Sequence, residues 1–148
     1  MAEFAESEQP DFWHKNLKTV PRFSTSFIDK FAADHLPIKA TLVRGYRFFY
    51  EDYIHDVEVN LPKKGSGTVV RAKCYRSMRK NEEPHPLSVQ FDPSAMEPSI
   101  STFQCSCAAG QGLCQHVIGL LYTLAHYQMM GIKSVPPVVS KTVLLSYK

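Results

Sequence analysis

The stretch that decides the reading of this chain is FQCSCAAGQGLCQHVIGLLYTLAHYQMM, Phe103–Met130. It contains three of the four cysteines, and Cys105, Cys107, Cys114 and His116 follow the pattern C-x-C-x6-C-x-H. Three sulfurs and one imidazole are the donors that a tetrahedral structural zinc ion takes, and two tight pairs joined by a short loop can converge on one ion without long-range folding. The joining loop, Ala108–Leu113, supplies Gly110 and Gly112, which permit the positive backbone angles of a tight turn, and small Ala108 and Ala109 leave room for the ion.

The same cysteines could instead be unmetallated, as small buried side chains or partners in a disulfide. Cysteines one residue apart rarely bridge each other, however, and His116 would then have no role. With four protein ligands no position is left for a water or a substrate, so one structural Zn2+ is expected, holding the fold and performing no chemistry. In zinc-finger peptides such binding is worth about 10–16 kcal/mol, comparable to the whole net stability of an ordinary domain, about 5–15 kcal/mol.

Outward from the cluster, Leu113, Val117, Leu120, Leu121 and Leu124 recur at steps of three and four, which predicts an amphipathic helix. Ile118, Tyr122, Ala125 and Met129 fill a second stripe, so this helix is covered on two sides or offers one side to a partner. Gly131 is the expected stop. Residues 132–148, with Pro136-Pro137 and then Val138–Tyr147, read as a tail or an edge strand.

Upstream, Ser99–Gln104 and Leu87–Phe91 read as short strands divided by prolines, the first delivering Cys105 and Cys107 to one face. Thr68–Met78 and the segment Tyr53–Val59 are expected to form a hairpin, with Cys74 a small buried strand residue. Arg44–Tyr50 is rich in aromatics and is read as a further strand, with Glu51-Asp52 as a turn. Its Tyr46, Phe48, Phe49, Tyr50 and Tyr53, interleaved with Arg44 and Arg47, suit a core more than base stacking. The spacing of Phe27, Ile28, Phe31 and Ala32 predicts a short helix within residues 24–35. Residues 1–20 are polar, acidic and aperiodic, and are expected to be flexible.

At 148 residues, 44% hydrophobic and 21% charged, the composition is that of one globular domain. No apolar run approaches the eighteen or so residues of a membrane span, and Met1–Pro10 is acidic where a signal peptide is basic. Clustered cysteines fit a reducing compartment, so an intracellular protein is expected. No phosphate loop, nucleophile elbow or carboxylate set is present, and no enzyme activity or small-molecule substrate is expected. His126, ten residues after His116, falls on another helix face, and His55 beside Asp56 is no proton-transfer pair because strand neighbours face opposite ways.

The net charge is only +3, but residues 62–80 hold Lys63, Lys64, Arg71, Lys73, Arg76, Arg79 and Lys80 with no acid among them. Beside the finger this segment would make a positive face for phosphates.

The finger also carries a family resemblance. C-x-C, a short loop and C-x-H running into an apolar helix resembles the SWIM-type zinc finger, a module of transposase-derived proteins, chromatin remodellers, recombination accessory proteins and some ubiquitin ligases. The runs RGYRFFYEDYIHDVEVNL, VVRAKCYRSMRK and CSCAAGQGLCQHVIGLLYTL are similar to the SWIM region preceding a YqaJ-type recombinase nuclease domain in animal proteins, over residues 40–127. The nuclease domain has no counterpart here. The resemblance implies a partner that is nucleic acid, DNA ahead of RNA, and a nuclear location; its alternative is a protein-interaction adapter presenting the apolar helix.

The expected architecture is therefore α+β: a short N-terminal helix, antiparallel hairpins, and a Cys3His knuckle leading into a C-terminal helix. Its expected boundaries are a flexible segment 1–20, one domain 21–131 and a tail 132–148.

Overall fold

The computed structural model describes residues 13–35, 39–60, 67–76, 83–94, 96–107 and 113–136, with the backbone alone at 39–41. Among these, β1 (Trp13–His14), β2 (Ile54–Asn60), β3 (Val69–Cys74), β4 (His85–Phe91) and β5 (Ile100–Cys105) form one antiparallel sheet in sequence order. Helix α1 spans Thr25–His35, α2 Lys39–Tyr50 and α3 Gln115–Met129. The α+β architecture is as the sequence indicates, with the Cys3His cluster immediately ahead of the last helix. No helix among the described residues is long and apolar enough to cross a membrane.

Alternation along the strands makes one face of the sheet dry. Val70, Ala72 and Cys74 of β3 and Leu87, Val89 and Phe91 of β4 are buried, while Arg71 and Lys73 are exposed on the other face. The dry face meets α3, in which all residues from His116 to Ala125 are buried. At about 1.5–3 kcal/mol for each fully buried Val, Leu, Ile or Phe, this layer is the main hydrophobic contribution to stability. Strand β2 joins it through a bulge. Asp56 adopts φ 53° between the pairs His55↔Lys73 and Glu58↔Arg71, so two residues oppose Ala72. The extra residue turns both Ile54 and Val57 inward, three positions apart, where an unbroken strand would send them to opposite faces.

Residues 44–50 are helix and not strand. Leu42, Gly45, Phe48 and Phe49 recur at helical steps and lie against α3, whereas a strand would split them between two faces. The aromatic bias toward strands is a weak preference that packing overrides. Two glycines make the packing close: a Cβ on Gly45 would lie 2.4 Å from Ile118 Cγ2, and one on Gly119 would lie 3.2 Å from the Gly45 carbonyl oxygen. The helices therefore cross almost backbone to backbone. In consequence α3 is enclosed between the sheet and α2, so of the two arrangements the sequence leaves open, covered on two sides or offering one side to a partner, the structure has the first.

Part of the segment read as flexible belongs to the domain. Trp13 and His14 pair with Asn60 and Val59, Leu17 and Val20 are buried in the core, and the Thr68 hydroxyl donates to the Thr19 carbonyl at 2.9 Å. The chain beyond α3 returns to the same place: Leu17 N–H donates to Lys133 O at 3.0 Å and Val135 N–H to Lys15 O at 2.8 Å. These pairings join residues over a hundred positions apart, which single apolar residues in a polar stretch do not announce. Residues 1–12 and 137–148 lie outside the described residues. Helix α3 stops as expected, with Gly131 at φ 71° and the bonds Gly131 N–H to Gln128 O and Ile132 N–H to Tyr127 O closing its last turn.

Candidate metal centre

The four candidate ligands meet where the end of β5 faces the start of α3. Cys105 is the last residue of β5, held by its pairing with Leu87, and Ser106 N–H extends the ladder by donating to Pro86 O at 3.2 Å. Cys107 follows one residue later. The loop 108–112, with Gly110 and Gly112, lies outside the described residues. Cys114 caps α3 with extended backbone angles, φ −127° and ψ 170°, and His116 stands in its first turn. The helix N-terminus carries partial positive charge, which favours thiolate over thiol at Cys114.

The donor atoms of Cys105, Cys107, Cys114 and His116 all lie within 4.8 Å of one another. His116 Nδ1 is 3.5 Å from Cys105 Sγ and 3.6 Å from Cys114 Sγ. A tetrahedral zinc ion with sulfurs at about 2.3 Å and nitrogen at about 2.0–2.1 Å sets S and N roughly 3.5–3.6 Å apart. The residues therefore fit one metal ion, with Nδ1 as the ring nitrogen that faces it. Three of the four are buried, and Cys107 is half-buried.

Proton sharing inside the cluster has the sign that metal binding uses. A hydrogen bond from Cys105, helped by the nearby His116 ring, lowers the Cys114 pKa against the effect of its burial. Cys105 moves the opposite way, upward, because its proton is held by Cys114 and the site is buried. One thiolate is thus prepared, and binding of an ion displaces the remaining protons.

Around the cluster stand groups that the sequence does not mark. The Phe48 ring of α2 stacks on His116 with centroids 5.1 Å apart, which fixes the imidazole plane. His85, which opens β4, lies 4.9 Å from the His116 ring and shares a hydrogen bond of 3.0 Å between its Nδ1 and Ser106 Oγ. Burial, then His116 and Arg76, hold the His85 pKa below its usual value. Opposite His85 in the β3–β4 register is Cys74, fully buried, whose thiol is pushed up to about 12 by burial first. His126 is outside the cluster and packs on Phe49, and His55 stacks on Tyr75 at 3.9 Å. His85 lies twenty residues before Cys105, the first cysteine of the cluster, and only the β4–β5 pairing reveals its position.

The basic segment is distributed, not gathered. Arg71 is bonded to Glu58 at 2.8–2.9 Å and lies 3.9 Å over the Trp13 ring, while Lys73 is 3.9 Å from Asp56. Acids absent from residues 62–80 thus arrive from β2, the neighbouring strand. Arg76 Nε donates to the Glu83 carbonyl at 2.7 Å, close to His85 and the metal centre. Lys63, Lys64, Arg79 and Lys80 lie outside the described residues.

The structure thus contains a Cys3His group positioned to hold one metal ion, assembled where the end of β5 meets the start of α3. Comparison of the chain with protein-family models, with curated proteins and with solved structures gives no match in any of the three.

Proposed function

We propose that this chain is a non-catalytic, zinc-stabilised module of the SWIM type that binds nucleic acid, DNA ahead of RNA, in the nucleus. The observation that carries the zinc assignment is the donor set itself, three sulfurs and one imidazole nitrogen spaced for a tetrahedral ion. All four positions are filled by protein, which supports a structural ion and gives no place for a substrate at the metal. The likeness to SWIM modules supports a nucleic-acid partner. Within the basic segment, Arg76, two residues beyond β3, stands near His85 and so near the metal centre. Arg71 and Lys73, each close to an acid, have less charge to offer a phosphate.

Elemental analysis of the purified chain tests the metal, with one zinc per chain expected and a folded, metal-free preparation as the refuting result. A salt titration of binding to DNA and RNA tests the partner. Phosphate contacts predict a steep loss of affinity between about 50 and 200 mM salt, and absence of binding at the lower salt would refute the nucleic-acid reading.

A further inference from the structure

Helix α2 has an outer face that the core does not use. Val43, Tyr46 and Tyr50 on this face are 60%, 46% and 72% exposed, and Arg44 and Arg47 are exposed between them. Steps of three and four place the apolar members in one stripe along the helix. The helix contains Lys39, Arg44 and Arg47 and no acid. Described acids near this face include Glu51, 3.6 Å from Arg47, and Asp29, whose charge acts on Tyr122 beneath Tyr46.

The aromatic geometry suits flat ligands. Tyr46 and Tyr50 are near-parallel, their planes 24° apart and their centroids separated by 6.3 Å. Tyr46 is held from below by edge contacts with Tyr122 at 5.2 Å and Phe49 at 5.6 Å, so one side of its ring is fixed and part of the residue remains open. Rigid aromatic rings flanked by arginines are the combination that binds unpaired bases, the rings stacking on base faces and the cations meeting the phosphate backbone. Duplex bases are already stacked and do not offer those faces.

The C-terminal end of α2 is also tied to the metal end of the sheet. Tyr53 N–H donates to Phe48 O at 2.9 Å and Tyr75 N–H to Tyr53 O at 3.0 Å, which joins the end of α2 to the end of β3 next to Arg76. We infer that the outer face of α2 is a stacking platform for single-stranded nucleic acid, with Tyr46 and Tyr50 receiving bases and Arg44 receiving a phosphate. The inference rests on the nucleic-acid reading above and narrows it to unpaired strands and to this helix.

Fluorescence anisotropy of the zinc-loaded chain with labelled oligo-dT, oligo-U and a duplex tests it at low salt. Tyr50 is mostly exposed, so its substitution spares the fold, whereas Tyr46→Ala is read beside a circular dichroism control. Tyr50→Ala is expected to weaken oligo-dT binding roughly 5- to 150-fold, the range of one base–aromatic stack. Tyr50→Phe, which keeps the ring, is expected to stay within about twofold of the parent. Arg44→Ala is expected to weaken binding and reduce its salt dependence.

Four results overturn the proposal, and they are separable. A parent chain that binds no nucleic acid removes both the platform and the reading beneath it. A parent that binds while Tyr50→Ala and Arg44→Ala bind equally well removes the platform alone. A preference for duplex, or capture of an acidic protein at this face in place of the oligonucleotide, also removes the platform.

Discussion

Strand β3 has two faces that obey different physics. Val70, Ala72 and Cys74 point into a dry layer between the sheet and α3, at the edge of which the Cys3His cluster closes. Arg71 and Lys73, one residue out of phase, point into water and meet Glu58 and Asp56 of β2. On the dry face each contact is protected from solvent, and losing one leaves a cavity or an unmet ligand. On the wet face each contact competes with water and salt, and losing one changes little. Stability should therefore be concentrated on one side of a single strand, and measurements can break or sharpen that contrast.

The largest effect is expected at the metal. Chelation, Cys105→Ser, Cys114→Ser or His116→Ala should remove the ion and with it binding free energy of the order of 10–16 kcal/mol. Circular dichroism and thermal melts should then show at least the β5–α3 junction unfolded. Retention of the parent melting temperature after complete metal removal would place the stabilising element elsewhere. Acid should act in the same direction, because the thiol and imidazole ligands must be deprotonated to bind, so zinc should be released as pH falls.

Next comes the buried thiol. The folded-state pKa of Cys74 is raised from 9.0 to about 12, so the neutral thiol is retained in the fold while the unfolded chain ionises. Its stability contribution is fully present below about pH 9 and falls as pH rises toward 12, by about 1.4 kcal/mol per pH unit in that window. Urea midpoints across the alkaline range should fall in the parent and less steeply in Cys74→Ala. Equal slopes would show that another group governs the alkaline loss.

The helix crossing should give a somewhat smaller change. Alanine is about 0.8–1.0 kcal/mol better than glycine inside a helix, yet the added methyl of Gly45→Ala would meet Ile118 at 2.4 Å and the Gln115 carbonyl at 2.9 Å. A net destabilisation of about 1–3 kcal/mol is expected from overpacking. Gly119→Ala, whose nearest contacts are 3.2–3.3 Å, should cost less. Chemical denaturation of both variants checks the order, and a stabilised Gly45→Ala would mean that the helices do not cross at that residue.

The smallest effect is expected on the wet face. A double-mutant cycle on Arg71 and Glu58 should give about 0–1 kcal/mol, and less in high salt. Arg71 also covers the Trp13 ring at 3.9 Å, so Arg71→Ala should perturb tryptophan fluorescence more than Lys73→Ala does. A coupling of several kcal/mol would show that this pair is shielded from water and would erase the contrast between the two faces.

The metal centre was legible because its ligands span only twelve positions, from Cys105 to His116, so spacing alone brings them together. The final helix was legible for a similar reason, since its periodicity and its glycine stop are local signals. Helix α2 was not: Tyr46, Phe48, Phe49 and Tyr50 have strand preference, and only contact with α3 through Gly45 and Gly119 makes helix the better state. The basic segment was legible as composition but not as a surface. Its acid partners are cross-strand neighbours, and the bulge at Asp56 sets which of them face Arg71 and Lys73.

The amino-acid sequence by itself determined the ligand set, the antiparallel strands of the central sheet and the apolar helix that follows the cluster. These depend on residues within a turn, a strand or a short loop of one another, where spacing dictates geometry. Tertiary structure alone decided that α3 is enclosed, that Leu17 and Lys133 share one edge of the fold, that His85 and Phe48 flank His116, and that two tyrosines of α2 face outward. Each of these rests on contacts between distant segments. The free energy that orders such contacts comes from burial and pairing across the whole domain, and no local pattern encodes it.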